Sequence, residues 1–183
     1  MDSSGSLRRE YGKEKTFVKS LADSFEISAN GSRAGIITFS WHADHSVKLK
    51  DHATTESFKA AVDKLPLFGH TTRIDKALKM ARDELFKSEN GGRASIPKLV
   101  IVLTDGAQTK DADAVDPGGI ADEIRRRGVK VIVIGIGRRV NSTELLHMAG
   151  REKKNLYLAK DFDELKSASF VESVSKSSCN EGK

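Results

Sequence analysis

KLVIVLTDG, residues 98–106, is the stretch on which the fold turns. From Leu99 to Leu103 the run is unbroken apolar and rich in Val and Ile, without the alternation of a strand that has one wet face. Such a strand must be covered on both faces, as in a parallel sheet with helices above and below. A second run of the same kind, VKVIVIGIG, occupies residues 129–137. Between them lies a helix around GGIADEIRRRG. A strand, a helix and a strand in that order form a right-handed parallel crossover.

Working outward, the pattern continues in both directions. TRIDKALKMARDELFKS places Ile74, Ala77, Leu78, Ala81, Leu85 and Phe86 on one helical face and stops at Asn90-Gly91-Gly92. TTESFKAAVDKL is a short helix led in by Thr54 or Thr55 with Glu56 close behind. RAGIITFS reads as a strand, and HSVKLK as an antiparallel edge strand beside it. Phe17, Val18, Leu21, Ala22 and Phe25 give the segment from Leu7 to Phe25 helical spacing. After the second apolar run come a capped helix in NSTELLHMA, a strand in NLYLAK and a closing helix in FDELKSASFVESVSKS. The expected fold is α/β: a doubly wound, mostly parallel sheet with one antiparallel edge strand and helices on both faces. Residues 1–176 form one domain, and residues 177–183 a polar tail.

Composition narrows the function classes. With 183 residues, 38% hydrophobic and 31% charged, the chain is a folded domain rather than a disordered one. The net charge of +5 comes from 31 basic and 26 acidic side chains that are mostly interspersed. Its one dense cluster, Arg125 to Arg127, ends a helix, where cations complement the dipole. Nucleic acid is therefore not the expected partner, whereas an acidic protein ligand suits a mildly basic surface. No run is long enough for membrane insertion, and no signal peptide is visible in this chain. Cys179, the single cysteine, cannot form an internal disulfide and reads as a partner for another domain or chain or as an exposed thiol. Two sequons, Asn30-Gly31-Ser32 and Asn141-Ser142-Thr143, are compatible with secretion.

In open α/β sheets ligands bind beyond the carboxyl ends of the strands. Three loops lie there, and each carries oxygen donors. Asp2, Ser4 and Ser6 alternate in DSSGS, with Gly5 giving backbone freedom; Thr71 and Thr72 precede the long helix; Asp105 follows IVLT. Hydroxyls and carboxylates without His or Cys suit a hard divalent cation, Mg²⁺ first, with Mn²⁺ as a substitute. A coordination position left open can accept a partner's carboxylate.

DSSGS, TTRIDKAL, LVIVLTDG and GVKVIVIGIG together resemble a von Willebrand factor type A domain, the fold also inserted in integrins, over almost the whole chain. The resemblance implies a metal-ion-dependent adhesion site made of Asp2, Ser4, Ser6, Thr72 and Asp105. In that family the two serines hold Mg²⁺ directly, and the threonine and acids do so directly or through water. An acidic side chain of the ligand completes the shell, and the closing helix can shift on engagement. Thr72 rather than Thr71 follows from counting back from Lys76-Ala77-Leu78. His70 departs from the family's glycine-rich stretch. A larger departure is the first strand: only Met1 precedes Asp2, so most of that central strand is expected to be lacking, leaving a gap and a poorly held metal loop.

Each feature also has a plainer reading. A terminal DSSGS is ordinarily a linker, Asp105-Gly106 a turn, and Thr72 a helix cap. His42, His45, His52 and His70 match no zinc spacing and read as surface histidines. Trp41 reads as a strand-end anchor, with contact to a partner as the alternative. Joint position in one sheet favours the metal site. The expected function is a non-enzymatic, metal-dependent binding module. It captures an acidic side chain of an extracellular or cell-surface partner, such as collagen or another matrix protein, as part of a larger multidomain protein. An intracellular assembly scaffold is the alternative, with a Mg²⁺-dependent hydrolase behind it.

Overall fold

In a computed structural model that describes residues 1–179, the two apolar runs form adjacent strands of a three-stranded parallel sheet. β3 (Lys98–Thr104) pairs with β4 (Val129–Ile136) from Lys98 opposite Val129 to Thr104 opposite Gly135. β5 (Leu156–Ala159) pairs in parallel on the far side of β4. The two-residue period of a strand sorts β4 cleanly. Val129, Val131 and Val133 pack with Val100, Val102 and the helices α3 (Ile74–Met80), α4 (Pro117–Arg126) and α5 (Ser142–Met148). Ile132, Ile134 and Ile136 pack against Phe17 and Leu21 of α1 (Tyr11–Phe25) and Val174 of α6 (Ala168–Cys179). Both faces are thus covered, as the unbroken apolar runs required.

β1 (Ile36–Phe39) and β2 (Ala43–Val47) form a separate antiparallel pair, covered on one side by α2 (Thr55–Asp63), whose Phe58 and Val62 join Ile36 and Val47. What connects this pair to the parallel sheet is a stub of three residues. Met1 N donates to Ile37 O at 3.1 Å, Phe39 N to Met1 O at 3.1 Å and Ser3 N to Phe39 O at 2.7 Å. On the other side Asp2 N donates to Leu103 O at 3.0 Å. These are the bonds of a parallel strand between β1 and β3. Behind the stub, β1 and β3 face each other across a slot of about 780 Å³, lined by Ile36, Ile37, Leu99, Ile101 and Val102 among others. The expected gap is present, and the sheet is divided in two by it. The poorly held loop is not: residues 1–3 are bonded on both sides.

Some boundaries differ from those read in the sequence. The segment from Leu7 begins as a 3₁₀ turn, Gly5–Arg9, before α1. The long helix is regular only to Met80 and continues as a wider π turn, Ala81–Leu85. The closing helix starts late because Ser167 is extended and its hydroxyl accepts the Phe170 N–H, the role of a helix cap. It runs to Cys179, three residues into the stretch read as a tail; residues 180–183 lie outside the described residues.

Candidate metal centre

Three loops meet at the carboxyl ends of the stub, β1 and β3. In the first, Asp2 is fully buried. Its Oδ1 accepts the Ser4 N–H at 2.8 Å and its Oδ2 accepts the Thr104 hydroxyl at 2.6 Å. Burial pushes the Asp2 carboxyl above its ordinary pKa, against the pull of those hydrogen bonds. Asp2 therefore fixes the loop. The hydroxyls it aims are those of Ser4, buried, and Ser6, exposed, whose Oγ atoms lie 3.1 Å apart. Ser6 in turn donates to Asp105 Oδ1 at 2.7 Å.

The second loop is tied to the first by residues outside the alternating motif. Ser3, also fully buried, donates its hydroxyl to Pro66 O at 3.1 Å and accepts the Phe68 N–H at 2.8 Å. Gly69 N donates to Ser3 O at 2.9 Å and Gly5 N to His70 O at 3.0 Å. Gly69 and His70 are both left-handed, with φ of 75° and 67°, so His70 holds a conformation that ordinarily favours glycine. Thr72 joins this loop to the third: its N–H donates to Thr109 Oγ1 at 3.0 Å and its carbonyl accepts the Thr109 N–H at 2.8 Å. Its hydroxyl lies over Gly106, where a Cβ would stand 3.4 Å from Thr72 Oγ1. Thr72 is not the cap of α3; Arg73 occupies that position, without a side-chain capping bond.

Arg73 locks the second and third loops. Only 2% exposed, its guanidinium makes a fork to Asp75, Nε to Oδ1 at 2.8 Å and Nη2 to Oδ2 at 2.9 Å, and reaches Asp113 at 2.7 Å. Gln108 closes the web, donating to Asp75 Oδ1 at 2.7 Å and accepting the Asp75 N–H at 3.0 Å. Burial alone would raise the Asp75 carboxyl; the donors from Arg73, Gln108 and the Val115 amide bring it down to about 2.

Of the five residues named from the sequence, Ser4, Ser6 and Asp105 are directly linked, Asp2 stands behind them, and Thr72 lies against the residue after Asp105. The sequence reading missed Ser3, Thr104, Thr109, Gln108 and Arg139. Thr104 adjoins the quoted Asp105-Gly106 and could have been suspected; the others carry no local signal. Arg139 donates to Asp105 Oδ2 at 2.5 Å. Trp41 was expected to anchor a strand end. It is 55% exposed, its ring 4.5 Å from that of His42 and 6.4 Å from that of His70, beside the metal loop. His42, His45 and His52 are half-buried and His70 is exposed. Among the described residues no group of three or more His, Cys, Asp or Glu is gathered for a metal. The hydroxyl-rich set around Ser4, Ser6 and Asp105 fits a hard cation by the chemistry of its donors.

The family model described as von Willebrand factor type A domain matches residues 1–170. The chain is similar to the collagen alpha-5(VI) chain of Mus musculus, at 31% identity over 91% of this chain and 6% of that one. It is similar to matrilin-3 of Gallus gallus, at 29% identity over 75% of this chain and 30% of that one. Proximal thread matrix protein 1 of the mussel byssus superposes with a TM-score of 0.88 at 31% identity, covering 98% of this chain and 46% of that one. The mussel protein has also been solved with a zinc-occupied MIDAS motif, at TM-score 0.86 and 28% identity. The chain thus spans less than half the length of each of these relatives. It belongs to the von Willebrand factor type A domain family.

Proposed function

We propose that this chain is a metal-dependent adhesion module of an extracellular matrix or cell-surface protein, and not an enzyme. Ser4 and Ser6 would hold a divalent cation, Mg²⁺ or Mn²⁺, with Thr72, Asp105 and Asp2 completing or orienting its shell. When bound, the cation supplies a positive centre for an acidic side chain of the partner, little compensated because few carboxylates surround it. The observation that carries the reading is the contact chain from Ser4 to Ser6 to Asp105, drawn from loops 99 residues apart in sequence. The protein's own part is to orient: Asp2 and Thr104 set the serine loop, and the Arg73 web sets Thr72. Exposed Trp41 gives the rim an apolar surface against which a partner can pack.

Support for the setting comes from the collagen, matrilin and byssal matrix relatives, and the partner proposed is likewise a matrix protein such as a collagen. Among the described residues no helix is long and apolar enough to cross a membrane. The test is capture of immobilised collagens and other matrix proteins in Mg²⁺ with and without EDTA. Capture should be abolished by EDTA, by Ser4→Ala and by a short acidic peptide, yet persist at moderate ionic strength. Binding indifferent to EDTA and falling uniformly with salt would instead mark nonspecific attraction to a basic surface.

A further inference from the structure

The loop after β4 brings a cation of the protein's own to the candidate site. Gly137 takes a left-handed turn at the strand end, φ 77°, and two residues later Arg139 reaches Asp105. The two partners are unequal. Asp105 is 2% exposed, whereas the Arg139 side chain is 65% exposed. The carboxylate is committed to the site, but the guanidinium stays largely hydrated and loses little by leaving. A pair with one hydrated partner gives way more readily than one buried on both sides. The Asp105 oxygen that Arg139 takes is the one Ser6 does not use. A guanidinium and a divalent ion cannot both sit close to one carboxylate without repelling each other.

We propose that Arg139 is a tethered cation that competes with the divalent ion for Asp105 and must withdraw from it when the ion binds. The inference rests on reading this site as a divalent-cation site. It makes Arg139 a built-in threshold that sets how much free cation the module needs, a role for a residue outside the alternating motif.

The test is calorimetric titration of Mg²⁺ and of Mn²⁺ into the full chain and three variants. Arg139→Gln should bind at least about twofold more tightly than wild type, because the ion no longer has a guanidinium to displace from Asp105. Arg139→Lys, which keeps the charge, should stay within about twofold of wild type. Arg138→Gln removes the same charge next door and should likewise change little. In parallel, the Arg139 Nε–H resonance of the wild type should shift on adding Mg²⁺. Equal or weaker binding by Arg139→Gln, or equal tightening in Arg138→Gln, overturns the competition. If neither wild type nor Arg139→Gln takes up any divalent ion, the site reading falls and the inference with it.

Discussion

Replacing Arg73 by Met should be the most destabilising single change near the site, because it strands a charge. Asp75 is 0% exposed and receives both arms of the Arg73 fork. Removing one partner of a buried ion pair costs about 3–5 kcal/mol, since the remaining carboxylate keeps its desolvation without its counter-charge. Asp111 and Asp113, 45% and 68% exposed, add little because water replaces their contacts. With a urea slope of about 2–3 kcal/mol/M for a domain of this size, the midpoint should drop by about 1.5 M. The assay is equilibrium urea unfolding followed by Trp41 fluorescence and by circular dichroism. The double variant Arg73→Met/Asp75→Leu should recover at least about 2 kcal/mol of the loss, because an apolar pair of similar volume needs no counter-charge. A loss below about 1 kcal/mol in Arg73→Met, or strict additivity in the double variant, would refute the reasoning.

The same pair sets a pH dependence. Asp75 is depressed to about 2 in the fold, below its ordinary 3.8, so its contribution is present above pH 4 and lost as pH falls toward 2. Unfolding midpoints measured from pH 5 to 2 should fall in wild type and be flatter in the double variant. Glu14 acts in the opposite sense: fully buried, its carboxyl is pushed well above the carboxylate range by burial. The unfolded chain ionises first, so stability is lost as pH rises above about 4.5. Glu14→Met should therefore raise the melting temperature more at pH 7 than at pH 4, and an equal gain at both would contradict this. The backbone groups of Leu99, Ile101 and Leu103 point from β3 toward the stub and the slot, while those of Val102 point toward β4. Hydrogen exchange should find the Ile101 amide, which faces the slot, about tenfold or more faster than that of Val102; equal protection would mean the slot is closed in solution.

Much of the fold was legible because its central strands, β3 and β4, announce themselves by composition. Five apolar residues in a row can be satisfied only by cover on two sides, and the helix between them fixes the crossover. The join between β1 and β3 was not legible: Met1 N donates to Ile37 O and Asp2 N to Leu103 O, long-range contacts no local pattern encodes. At the site, the donor residues could be named because hydroxyls and acids recur at strand ends. Their supports could not. Ser3 looks like filler between motif positions, and Gln108, Thr109, Arg73 and Arg139 act across loops that only the folded chain brings together. Trp41 lies two residues past the last paired residue of β1, exposed between the rings of His42 and His70, a setting that no local pattern encodes.

The most direct test of the cation site is a crystal structure of the chain grown with Mn²⁺, read by anomalous scattering. The expected result is one peak within about 2.0–2.3 Å of both Ser4 and Ser6 Oγ, beside Asp105 and with Arg139 withdrawn from it, and no peak in Asp105→Ala crystals. Anomalous density elsewhere, with the two serine hydroxyls still engaged only with each other and with Asp105, would contradict it.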